Sequence, residues 1–398
     1  MNDPDLYDPI QILRYMGNKS KIIKFVVNKI AKEVPKHAKI LDLMAGTHSI
    51  SYALKGKYVV YANDIQAYSQ TIGKALVENN SYLFVPKEDM ELLKKYMNEN
   101  LKELKINKSL IKNNPYTSDL KDHPINNYKK NNHKFPYCLF SYYYADKYWP
   151  LRNCLVIDSL KYAIDKLTAK DLDKNRKYIL ITCLLYAISY TVLSTGHFAQ
   201  YLVKGNDLEA MKKRKVEEYF FNKLKNISIK SNRCENRILN YNYRDLFIKK
   251  ALRKKIEDVD LIYFDPPYSS ANYSRFYHIP ETLVKYDYPE CEFKGCYREN
   301  RHLSPFCTYS NASSEFRFAV KNISQLNKKI KLMISYSRSK SSIIDIREIR
   351  KICRTYFEIV EPTYEKDHLH SAQGKKNGMV KEILIVCKKP KFPMRDRC

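Results

Sequence analysis

At 398 residues, 44% of them hydrophobic, the chain is long enough for about two or three domains and a sizeable core, which excludes a disordered tail or a small stapled module. Lysine and arginine number 71 against 43 aspartates and glutamates, a formal charge of +28 whose sign and size suit a polyanionic partner, nucleic acid first. A general Lys, Asn and Ile bias of the source organism is the competing explanation.

Residues 1–9 are acidic and polar without an apolar core, so no secretory signal is expected there. The longest apolar run, Tyr178 to Leu193, is short for a membrane span and carries Thr, Ser and Tyr throughout. It reads as a buried helix. Ten cysteines follow no small-domain spacing, as expected of reduced thiols in a cytoplasmic protein.

In chain order, "RYMGNKS" breaks before Ile22, Ile23, Val26, Val27 and Ile30, which share a helix face that Pro35 closes. "AKILDLMAG" is a strand running into a glycine turn, "HSISYALK" a helix, "YVVYAND" a second strand ending in Asp64, and Gln66 to Val77 another helix. This alternation predicts a parallel sheet covered by helices. Lys-, Asn- and Tyr-rich text then interrupts it, with helices expected near Lys87 to Leu104, Asn153 to Leu167 and Tyr178 to Leu193. Strand grammar resumes at "RILNYNYRDLF" and continues through "VDLIYFDPPY", "KLMISYS", "FEIVEPTY" and "MVKEILIVC". The expected organisation is one α/β domain, residues 1–80 and 235–398, interrupted by a mostly helical insertion at 81–234.

Ligands of open α/β sheets bind beyond the carboxyl ends of the strands. The first strand ends at Gly46, where the missing side chain lets a cofactor approach the backbone, and the second at Asp64, placed as a ribose-binding carboxylate would be. The third such end is Asp265-Pro266-Pro267-Tyr268. Two prolines fix the backbone and donate no hydrogen bonds, so their carbonyls and the carboxylate form a rigid shelf of acceptors. An exocyclic amino group suits such a shelf, and Tyr268 offers a face for a base to stack on. A strand merely stopped by prolines beside a buried tyrosine is the bland alternative.

"DPPY", with "LDLMAGTHS" and "RYMGNK" upstream, resembles the adenine-specific DNA methyltransferases of the DNA adenine methylase type, at motif level over residues 11–80 and 237–390. The resemblance implies a Rossmann-like fold, S-adenosyl-L-methionine as methyl donor, and methylation of the 6-amino group of adenine in double-stranded DNA. It also implies a restriction-modification or related defence context, any restriction endonuclease being a separate chain. Carried over by position, Tyr15 and Lys19 would lie near the methionine end of the cofactor and Gly46 beneath it. Asp64 would take the ribose and Asp245 the cofactor adenine, while Asp265, Pro266, Pro267 and Tyr268 would form the catalytic pocket, Asp265 also bordering the cofactor. The family usually has phenylalanine where Met44 stands and a second glycine where His48 stands.

Candidates for contact with DNA are Tyr273, Arg275 and Tyr277 just after the pocket motif, and Lys204 in the insertion, with core packing the alternative for the aromatics. Cys291, Cys296, His302 and Cys307 fall close together, but their intervals lack the short knuckle of structural zinc sites, so unpaired thiols and no metal are expected. An amino-cytosine or RNA adenine methyltransferase, and a DNA-binding protein without catalysis, remain the alternative functions. No Pro-Cys pair serves a carbon-5 cytosine mechanism.

Overall fold

The computed structural model describes residues 10–17, 19–104, 136–339, 341–369 and 379–391. Residues 1–9, read above for the absence of a signal, and Asn18 of "RYMGNK" lie outside them. The strands are β1 (Lys39–Asp42), β2 (Val59–Asn63), β3 (Arg237–Leu239), β4 (Leu261–Phe264), β5 (Cys291–Glu292), β6 (Tyr297–Arg298), β7 (Lys331–Arg338), β8 (Phe357–Val360), β9 (Tyr364–Leu369) and β10 (Met379–Pro390). β5 and β6 form a separate hairpin.

The main sheet runs β3-β2-β1-β4-β7-β10-β8, with β9 also paired to β10. β3, β2, β1, β4 and β7 are parallel, whereas β10 is antiparallel to β7, β8 and β9. Chain order reverses between β1 and β4, which opens a crevice beyond their carboxyl ends. This is the expected Rossmann-like α/β architecture.

Strand side chains alternate between two cores, as the pleat requires. Ile40, Val60, Tyr263 and Leu384 face one side, while Leu41, Tyr61, Ile262 and Ile385 face the other. The helix Ile23–Glu33 covers the first side with Ile23, Val26, Val27 and Ile30, one face at helical spacing. The helix Ile346–Tyr356 covers the second with Ile349, Ile352 and Cys353.

Between Glu78 and Arg237 the described residues contain helices Lys87–Glu103, Leu139–Tyr143, Leu151–Leu167, Asn175–Thr191, Leu208–Lys212 and Val216–Asn226, and no strand of the main sheet. Apart from Leu208–Lys212, their buried apolar side chains join the same cluster as the first face of the sheet. One buried carboxylate adds a polar seam: Asp158 accepts from the backbone of Phe140 (2.8 Å) and Ser141 (2.9 Å) and from the hydroxyl of Tyr286 (2.6 Å) beyond the pocket motif. Among the described residues no helix is long and apolar enough to cross a membrane.

Candidate active site

The crevice at the β1/β4 switch is a cavity lined by Tyr15, Lys19, Gly46, Asp64 and the whole Asp265–Tyr268 turn. Asp42, Asn63, Tyr241, Asn242 and Tyr243 complete its wall. The sequence reading did not single out these five.

The loop after β1 is built around a positive dihedral. Gly46 has φ +54°, and a Cβ there would sit 3.1 Å from the Tyr15 ring, so glycine allows the tyrosine to lie on the loop. Its N–H donates to Asp64 Oδ2 at 2.9 Å, and the N–H of Gln66 donates to Asp64 Oδ1 at 2.9 Å. Asp64 therefore fastens two loops while bordering the cavity. His48 also has positive φ (60°), but its ring turns into the core, where Nε2 lies 2.9 Å from the Ser69 carbonyl. Burial pushes its pKa down to about 4, so the ring is neutral. The histidine, at a position where the resemblance leads one to expect glycine, does not line the cavity.

On the β4 side, Lys19 Nζ lies 3.1 Å from Asp265 Oδ1 and 2.9 Å from Glu382 Oε1 of β10. Glu382 also accepts from the Ser335 hydroxyl of β7. Lys19, shared by two carboxylates in a buried place, is held firmly protonated, its pKa raised although desolvation opposes it. Asp265 is pushed up to about 7, chiefly by burial, with Lys19 opposing and Glu382 adding to the rise. Asp42 is likewise raised to about 7 by burial, with Asp265 and Asp64 contributing, and Asp64 to about 6 by burial. Three carboxylates thus crowd one cavity in a strongly basic protein.

Tyrosines hold the N-terminal motif against this floor. The Met16 N–H donates to Tyr277 Oη at 2.7 Å, and Tyr273 Oη donates to the Met16 carbonyl at 3.2 Å. Tyr15 stacks on Tyr277 with ring centroids 4.5 Å apart. Tyr273 borders the cavity, whereas Tyr277 is fully buried behind it. Arg275 is exposed in a neighbouring groove shared with Val203, Phe293, Lys294, Tyr297 and Arg301. Lys204 is exposed beside Val203.

Asp245 does not line the cavity; its carboxylate pairs with Lys249 one turn later, 2.9 Å away. Asn242, Tyr241 and Tyr243 of the same segment line it instead. The thiols of Cys291, Cys296 and Cys307 point to three different carbonyls, those of Pro289, Tyr143 and Ala271. Among the described residues no group of three or more His, Cys, Asp or Glu side chains could hold a metal ion.

Residues 15–363 match the family model of the D12 class N6 adenine-specific DNA methyltransferases. The chain belongs to this family. It is 26% identical over 384 residues to the modification methylase LlaI of Lactococcus lactis subsp. lactis, an alignment covering 95% of this chain and 55% of that one. It is 24% identical over 392 residues to the modification methylase StsI of Streptococcus sanguinis (96% and 52% covered) and 25% identical over 352 residues to the type II methyltransferase M.FokI of Planomicrobium okeanokoites (86% and 47% covered). The chain spans about half the length of these curated relatives.

As a D12-class methyltransferase the chain implies S-adenosylmethionine as methyl donor, and the cavity fits that molecule. The donor carries a net positive charge, a sulfonium and an ammonium against one carboxylate, and its ammonium, two ribose hydroxyls and adenine amino group donate hydrogen bonds. The wall supplies acceptors. Asp42 is buried, and its Oδ1 has no hydrogen-bond partner among the described residues. Such an orphaned acceptor is costly unless something arrives to satisfy it.

Proposed function

We propose that this chain methylates the 6-amino group of adenine in double-stranded DNA, as the modification half of a restriction-modification or related system. One observation carries the reading: the acceptor shelf Asp265–Tyr268 and the cation-suited loop Asp42–Gly46 line a single cavity at the β1/β4 switch. When bound, S-adenosylmethionine supplies an electrophilic methyl group on a sulfonium sulfur.

The protein's own contribution is positioning and electrostatics. A target adenine turned out of the duplex stacks on Tyr268, and its two amino protons are accepted by Asp265 and the Pro266 carbonyl. Those bonds draw the amino nitrogen toward tetrahedral geometry and localise its lone pair. Tyr15, Gly46 and Asp64 hold the donor side of the cavity, with Asn242 the polar side chain offered to the cofactor's adenine in place of Asp245.

DNA approaches over the groove beside the pocket. Ser274 and His302 line the cavity, and the residues adjacent to them in sequence, Arg275 and Arg301, line the groove. Phosphates of the strand flanking the target base would meet Arg275, Lys294 and Arg301, with the exposed Phe293 and Val203 against the bases or sugars. Insertion residues 81–234 reach this groove through Val203 and Tyr201, which supports reading them as the target-recognition region. Modification-sensitive sequencing of DNA from a methylase-free host expressing the protein tests the proposal. Methyladenine at a short motif is expected, whereas methylcytosine would overturn the base assignment.

A further inference from the structure

Lys19 is one ammonium facing two carboxylates. Asp265 Oδ1 stands 3.1 Å from Nζ on the pocket side and Glu382 Oε1 stands 2.9 Å from it on the far side, with Ser335 fixing Glu382 from the strand between. Glu382 is 1% exposed and does not line the cavity, so it touches neither base nor cofactor. A buried carboxylate with no ligand to meet needs a reason, because desolvating it is expensive. Neutralising Lys19 is not one, since Asp265 already supplies a partner and the second carboxylate leaves the cluster with a net negative charge.

We infer that Glu382 is a positioning residue for methyl transfer: by engaging Lys19 from behind, it leaves Asp265 free to take the proton that the adenine amino group must lose. The inference rests on the adenine-methylation reading. As the N–C bond forms, the S–C bond breaks with its electron pair left on sulfur, and the amino nitrogen becomes cationic with one proton too many. That proton passes to an Asp265 oxygen, leaving a neutral secondary amine, and Asp265 later returns it to water. A carboxylate paired one-to-one with Lys19 would accept hydrogen bonds well but would be a weak base. A second carboxylate on the same cation relieves that pairing, as two acids sharing one site raise each other's proton affinity. The direction agrees with Asp265, whose rise burial begins and Glu382 reinforces. The other groups facing the cluster, Asp42, Tyr263, Tyr268 and Tyr273, are retained in every variant below.

A structural role and this role separate in Glu382→Gln, which keeps the side chain's shape and an acceptor for Lys19 and Ser335. The test reads the Asp265 carboxyl by carbon-13 NMR titration in the ligand-free protein, assigned with Asp265→Asn. It also reads single-turnover methyl transfer to unmethylated bacterial genomic DNA across pH. The titration midpoint in Glu382→Gln is expected to fall by about one unit or more, with the acidic limb of the rate profile following it. The single-turnover rate at pH above 8 should drop about tenfold while the half-saturating concentrations of DNA and cofactor stay within about threefold. Glu382→Asp should fall between the two, and carries the same test if the glutamine variant does not fold. An unchanged midpoint, or a lowered midpoint with an unchanged rate, overturns the inference. An inactive wild type with a normal titration would instead count against adenine methylation itself, and would remove the proton-transfer role with it.

Discussion

A Cβ on Gly73 would lie 2.6 Å from Cε1 and 2.7 Å from Nε2 of His48, so the glycine is the socket that receives the histidine ring. This pairing explains how a loop that carries a histidine beside Gly46 still keeps that ring clear of the cavity. Gly73→Ala should destabilise the protein by about 1–3 kcal/mol through overpacking and weaken cofactor binding by tilting the 45–48 loop. A double-mutant cycle in thermal or denaturant unfolding checks it: His48→Ala should remove much of the penalty, whereas simple additivity would mean that the two residues are not coupled.

Cofactor affinity should rise with pH. Asp42 and Asp265 are raised to about 7 and Asp64 to about 6, so a cationic ligand meets more negative charge as pH climbs from about 5.5 to 8. The ligand-free protein should behave in the opposite sense. These acids bind more protons folded than unfolded, so their contribution to stability is greatest at low pH and declines as pH rises toward 7. Calorimetric titration with S-adenosylmethionine and thermal melts over this range check both signs. An affinity that falls with pH would refute the carboxylate-lined site.

The sheet was legible because its strands are short apolar runs ending in glycine, acid or proline, punctuation that backbone geometry demands. Gly46, Asp64 and Asp265–Tyr268 were found at those ends and Lys19 through its place in the N-terminal motif, and the structure gathers them around one cavity. Asp245 was placed there by its motif position, yet it pairs with Lys249 one helical turn away and does not line the cavity. Aromatic residues gave no such guide, because Tyr273 and Tyr277 look alike in sequence and stack on each other one helical turn apart, with centroids 6.1 Å apart, differing only in depth: Tyr273 borders the cavity and Tyr277 is buried behind it. Glu382 left a faint signal: in β10 it shares the strand face of Leu384 and Val386, both buried, so an acid there had to be buried too. Asp42 was similarly readable as the acid ending an apolar strand one turn before Gly46, though its orphaned oxygen was not.

Tyr277→Phe should distinguish an anchor from a DNA contact. The variant leaves the Met16 N–H without its partner, so a loss of about 1–2 kcal/mol in stability and weaker cofactor binding are expected. DNA affinity measured without cofactor should be unchanged. A selective loss of DNA binding would place the ring at the interface instead.

Arg275→Ala and Arg301→Ala should each weaken duplex binding across sequences and reduce the slope of log affinity against log salt by about 0.9, as one phosphate contact is removed. Fluorescence anisotropy over a salt series reads both quantities. An unchanged slope in both variants would move the DNA path away from this groove.

In the proposed reaction the Asp265 turn carries methyl transfer to adenine. Removing the carboxylate leaves Lys19 still paired with Glu382, so Asp265→Ala should fold and bind DNA. Modification-sensitive sequencing of a methylase-free host expressing either protein compares them directly. Methyladenine is expected at one short motif with the wild type and none with Asp265→Ala. Equal methylation by the two proteins would contradict it.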